Sequence, residues 1–190
     1  MKILYFDTET TGLYPFRHSL IQIAGLIEID GEIKEQFDFK CKPTGEIDPK
    51  ALEIQNRTEA EIMEWPSPLT VYKSLLALFD KYVDKFNPDD FMIPAGQNVG
   101  FDLNFLFAFW PDKFLGSYLK GFYCMRTLST MAYMDGRLKA LNEKNRISFK
   151  LEHICKALGV EPGKHDALRD ILATRECIKK LTDPTGLNFY

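Results

Sequence analysis

The sequence predicts a single α/β domain with strands and helices mixed along the chain. Three observations carry that expectation. An apolar opening run ends in two carboxylates, an Asp30-Gly31 pair separates two further strand-like segments, and helical spacing of apolar residues begins only after them. The 190 residues are 45% hydrophobic and 27% charged, enough to bury one sizeable core without calling for a second.

KILYFDTETTGL starts as a short buried strand and turns polar by Gly12, which puts Asp7 and Glu9 near the strand end. Active groups of α/β folds sit at such edges. SLIQIAGLIEI and EIKEQFDFK are strands, and Asp30 and Gly31 join them as a hairpin because that pair suits the positive backbone angles of a tight turn. PKALEIQN is a short helix with Pro49 near its start. PLTVYKSLLALFDKYVDKF is a longer helix in which Leu75, Leu76, Phe79, Tyr82, Val83 and Phe86 repeat at helical spacing and pack against the sheet. DDFMIPAGQN is a strand, with Pro94 marking an edge or a break. FDLNFLFAFW is helical, with Asp102 in its first turn, and SYLKGFYCMRTLSTMAYM gives a short strand and a helix. GRLKALNEKNRI is a polar loop, after which SFKLEHICKALGV and HDALRDILATRECIKKL close the domain as two helices. No repeat or linker interrupts residues 1–181, which leaves 182–190 as a short C-terminal tail.

Lys plus Arg number 24 against 27 Asp plus Glu, a net charge of -3, so no global positive field marks a nucleic-acid binder. The charge is uneven: Arg137 to Lys150 holds five basic residues and one acidic, Glu46 to Glu64 six acidic and two basic. The basic run is either a solvated face or a rim for a phosphate backbone. The 15 Phe residues supply core volume or stacking platforms. Cys41, Cys124, Cys155 and Cys177 are spaced too widely for a zinc-site pairing and read as free cytosolic thiols. With no P-loop or dinucleotide fingerprint, ATP-driven and nicotinamide chemistry have no support. Asp7 is reached before any long apolar run develops, against a secretory signal, and no stretch approaches a membrane span, so the expected location is cytoplasmic.

Alternation along a strand points Asp7 and Glu9 to one side, where two oxygen ligands can share a divalent cation. A surface turn explains Asp7-Thr8-Glu9 equally well when that segment is taken alone. In Asn98 to Asp102, NVGFD, a carboxylate opens a helix after a strand, and interaction with the helix dipole is the bland alternative. HDALRD places His165 at a helical start and Asp170 one turn on. A neutral imidazole accepts a proton from activated water near neutral pH, whereas clustered carboxylates repel one another without cations. His18 and His153 have no such acidic setting and read as surface or structural groups. The set suits phosphodiester hydrolysis with two metals.

The ordered blocks FDTETTGL, NVGFD and HDALRD resemble the three exonuclease motifs of the DEDDh branch of the DnaQ-like, ribonuclease H-like superfamily. The resemblance implies a central mixed five-stranded sheet flanked by helices, and hydrolysis of single-stranded DNA from its 3′ end to nucleoside 5′-monophosphates, in proofreading or end trimming. It implies that Asp7 bridges two Mg2+ ions, which Mn2+ replaces, that Glu9 and Asp170 hold the nucleophile-side metal and that Asp102 supports the second. His165 becomes the general base. Thr8 and Glu9 backbone groups seat the terminal nucleotide, Leu13 or Phe16 wedges against terminal bases, and Asn98 lies on the substrate side. Phe101 stacks on a base or closes the core, with core preferred.

Departures from the family pattern are Gln97, where many similar enzymes carry His, and Met125-Arg126-Thr127, where many carry an Asp-Thr pair. Asp166 adds a negative group beside His165. Two other readings stand beside the leading one: an exoribonuclease trimming RNA ends, and a noncatalytic nucleic-acid or polymerase-associated module. The chain has no polymerase-sized region, so coupling to synthesis calls for a separate polymerase or replication partner. The closing LTDPTGLNFY caps the domain, pairs two copies as a homodimer or binds a partner.

Overall fold

A computed structural model describes residues 1–110, 115–163 and 166–183. Three strands come first, β1 (Lys2–Thr10), β2 (Leu20–Ile29) and β3 (Glu32–Lys40), followed by helices α1 (Pro49–Ile54), α2 (Glu59–Met63) and α3 (Pro68–Asp80). The chain continues through β4 (Ile93–Gly96), α4 (Val99–Phe109), α5 (Leu115–Tyr118), β5 (Tyr123–Cys124), α6 (Met125–Met134), α7 (Leu151–Leu158) and α8 (Ala167–Thr182). The sheet order is β3-β2-β1-β4-β5. β1, β2 and β3 pair antiparallel in succession, whereas β4 runs parallel to both β1 and β5. This is the expected α/β fold with a mixed five-stranded sheet.

Alternation along β1 separates two cores. Leu4 and Phe6 join Leu75 and Phe79 of α3 and Phe105 and Leu106 of α4 on one face. Ile3 and Tyr5 join Met125 of α6, Ile154 of α7 and Ile171 and Ile178 of α8 on the other. A strand buried on both faces reads as a continuous apolar run, which is what Ile3 to Phe6 is. The hairpin turn forms at Asp30 and Gly31, with φ of 51° and 89°.

Two expectations change. The long helix stops at Asp80, and Phe86 is 81% exposed instead of packed. Downstream, Asp84, Asn87 and Asp90 accept hydrogen bonds from the backbone N–H groups of Phe86, Asp89 and Asp84, giving the chain local partners that compete with helix. Pro94 lies in an interior strand, not at an edge, but β5 pairs only with Ala95 and Gly96, so no ladder partner faces the proline on that side. The last helix runs to Thr182, one residue into the expected tail, and residues 184–190 lie outside the described residues. The four cysteines are free, with Cys155 and Cys177 Sγ atoms 3.6 Å apart. Among the described residues no helix is long and apolar enough to cross a membrane.

Candidate active site

The strand alternation that divides the core also sorts the functional groups. Asp7 and Glu9 follow Ile3 and Tyr5 toward α8, while Thr8 follows Leu4 and Phe6 toward α4. The backbone N–H and the hydroxyl of Thr8 both donate to Oδ1 of Asp102, at 3.0 and 2.7 Å. Asp102 is 3% exposed, in the first turn of α4. This bond joins residues 94 apart in the chain and fixes the helix start against the strand end. The Thr8 N–H and hydroxyl thus both have a partner in Asp102.

Asp170 arrives from the first turn of α8. Asp166 caps that helix by accepting from the Arg169 N–H at 2.9 Å, which gives this acidic neighbour of His165 a structural task. The loop before it presses closely: a Cβ on Gly163 would stand 2.3 Å from the Asp170 nitrogen and 2.5 Å from its Oδ1. Only glycine fits there, a positioning role that local patterning did not reveal. His165 itself lies outside the described residues.

Asp7, Glu9 and Asp170 line one cleft of about 740 Å³. Behind it, Asp7, Gln97 and Asp170 share a small cavity of about 60 Å³, so Gln97 lies beside the carboxylates. Burial pushes the Asp7 carboxyl well above its usual range, and the nearby charges of Asp102, Glu9 and Asp170 push it further. Burial also raises Asp102 to about 6, against the two Thr8 hydrogen bonds that favour its charged form. Among the described residues no three His, Cys, Asp or Glu side chains close on a single ion position. The chemistry of the set nevertheless fits divalent cations: the donors are hard oxygens, and their uncompensated negative charge is what a small dication offsets.

The other sequence candidates separate clearly. Leu13 and Phe16 are 71% and 97% exposed in the β1–β2 connection. Asn98 is exposed at the N-cap of α4 and makes no side-chain capping bond. Phe101 packs against the core with its ring 4.9 Å from that of Phe105, the core role preferred from sequence. His18 accepts from the Tyr14 N–H; His153 is buried beside Ser148 and, contrary to the sequence expectation, does have acidic neighbours, with Glu143 and Glu152 3.2 and 3.5 Å from its Nε2. Met125 is buried at the start of α6, while Arg126 and Thr127 are exposed. Among the described residues lining the cleft, none comes from the basic run Arg137 to Lys150.

The RNase T family model, described as Exonuclease, matches residues 4–177. The chain is 26% identical over 178 residues to a DNA polymerase III PolC-type from Thermotoga petrophila, covering 93% of this chain and 12% of that one. The corresponding protein of Thermotoga maritima is 27% identical over the same shares. The chain thus spans about an eighth of the length of these curated relatives. Its fold is shared with E. coli exonuclease I in complex with a dT13 oligonucleotide, at 24% identity and a TM-score of 0.73, covering 95% of this chain and 41% of that one.

Proposed function

This chain belongs to the DnaQ-like RNase T exonuclease family, and we propose that it is a metal-dependent 3′ to 5′ exonuclease that shortens single-stranded DNA to nucleoside 5′-monophosphates. The observation that carries this reading is the meeting of the end of β1 with the starts of α4 and α8: Asp7, Glu9 and Asp170 line one cleft, and Asp102 stands near enough for its charge to raise the Asp7 carboxyl. Asp7, Glu9, Asp102 and Asp170 would hold Mg2+ or Mn2+, which would supply Lewis acidity to the phosphoryl oxygens and offset the charge of the site.

The work of the protein is to hold its groups in place and to move a proton. Thr8 orients Asp102, and the capped first turn of α8 presents Asp170. His165 takes the proton of the attacking water, since an imidazole is neutral and basic near physiological pH. Leu13 and Phe16 are the proposed wedge against terminal bases, supported by their exposure, and Asn98 is a proposed polar contact at the α4 start. The dT13 strand held by E. coli exonuclease I supports single-stranded DNA as substrate. The PolC-type relatives support association with a polymerase.

The test is digestion of 3′-labelled and 5′-labelled DNA and RNA by the purified chain, with and without Mg2+. The expected result is Mg2+-dependent shortening of DNA from the 3′ end, with RNA cut more slowly. Shortening of neither polymer with metal present overturns the reading, and faster RNA cleavage transfers it to RNA trimming. His165→Ala is expected to lose most turnover while keeping its circular dichroism spectrum; undiminished turnover removes His165 as the base.

A further inference from the structure

The cleft that Asp7, Glu9 and Asp170 line also carries Asp38 and Asp166, and these five carboxylates repel a polyanion. Its lining also includes two cations, Lys40 at the end of β3 and Arg57 just beyond α1. One indole ring collects both. The Lys40 Nζ lies 5.6 Å and the Arg57 Cζ 5.4 Å from the centroid of Trp65. The negative face of an aromatic ring attracts cations, so Trp65 holds two like charges near each other that would otherwise spread apart.

The ring is itself anchored. Trp65 is half-buried and packs on a small cluster of Ile21, Leu52 and Ile62, which ties α1 and α2 to β2. Asn56, in the left-handed region with φ of 52°, turns the chain at the end of α1 and delivers Arg57 to the cleft. Glu61 pairs with the Arg57 guanidinium, which retains further N–H donors for a second anion. A pair of fixed, partly exposed cations at the edge of an acidic cleft matches a phosphodiester chain, whose successive charges relieve the repulsion between them.

Building on the exonuclease reading above, we propose that Lys40 and Arg57, positioned by Trp65, grip phosphates of the single strand in the cleft and set substrate affinity. The basic run from Arg137 to Lys150, the sequence's candidate for this role, contributes no residue to the cleft lining among the described residues.

The experiment measures kcat and KM of the purified 190-residue chain on a labelled dT oligonucleotide with Mg2+ over a series of salt concentrations. Each phosphate contact to a single strand contributes about 0.7 to the slope of log affinity against log salt, so K40Q/R57Q is expected to lower the slope of kcat/KM by about 1.4. KM rises and kcat is largely kept. The charge-preserving K40R/R57K restores the slope, and W65F keeps more of it than W65L. A slope unchanged in K40Q/R57Q overturns the proposal, as does a slope that falls only in K139Q/K144Q/R146Q. An active wild type with an unmoved slope refutes the grip alone, whereas a wild type that shortens no DNA removes the exonuclease reading and the grip with it.

Discussion

Thr8 directs two donors to one oxygen of Asp102, so a residue with no direct chemistry controls one of the four carboxylates. Thr8→Val removes the hydroxyl and leaves the backbone bond. Loss of a partner that orients a metal ligand costs about tenfold in metal affinity or more. The expected result is a tenfold rise in the Mg2+ concentration giving half-maximal turnover; an unchanged Mg2+ titration would make Thr8 a packing residue alone. The raised carboxyls of Asp7 and Asp102 set a second expectation. Their folded values lie above the ordinary value of 3.8, so the unfolded chain releases these protons first as pH rises. The contribution of the site to stability is therefore complete below about 4, and for Asp102 it declines until about 6. Mg2+ should then raise the melting temperature more at about pH 7 than at about pH 5, because only ionised carboxylates hold it. Equal shifts at the two pH values would refute this account.

At the scale of elements, the start of α8 is set by the loop before it. Gly163 lies against the Asp170 backbone and Oδ1 with no room for a methyl group. Gly163→Ala should displace the first turn of α8 and lower turnover about 100-fold, since a shift near 1 Å is enough for that loss. The helical spectrum should be kept, and full activity would show that the loop moves aside instead. Most element types were legible because their periods differ: β1 to β3 alternate or run apolar, and α3, α7 and α8 repeat every three to four residues. What was lost was short or locally contested. α2 has only five residues, too few to show a period, although Thr58 at its N-cap accepts from the Glu61 N–H and so marks its start. The end of α3 was misplaced because apolar spacing continues to Phe86 while Asx-type side chains take over the backbone N–H groups.

Among the described residues, β1 and β2 each supply side chains to both main cores, beside the small cluster at Ile21, Leu52 and Ile62. Phe6 is 1% exposed in the α3–α4 core, next to Tyr5 in the α6–α8 core. Phe6→Ala should cost about 3–5 kcal/mol, read from the midpoint of denaturant unfolding. A single transition by fluorescence and circular dichroism is expected, because β1 pairs with both β2 and β4 and unfolding either layer exposes it. Two separated transitions would show that the layers unfold independently.

The sequence by itself determined the α/β class and the hairpin, and its resemblance to the exonuclease motifs singled out Asp7, Glu9, Asp102 and Asp170 as candidates, which stand toward the end of β1 and in the first turns of α4 and α8. Only the tertiary structure decided that Thr8 serves Asp102, that Gly163 backs Asp170 and that Lys40 and Arg57 line the cleft in place of the more conspicuous basic run. Periodicity reports which face of an element a side chain occupies. Which distant residue that face meets depends on packing, and a bond across 94 residues leaves no mark on either local segment.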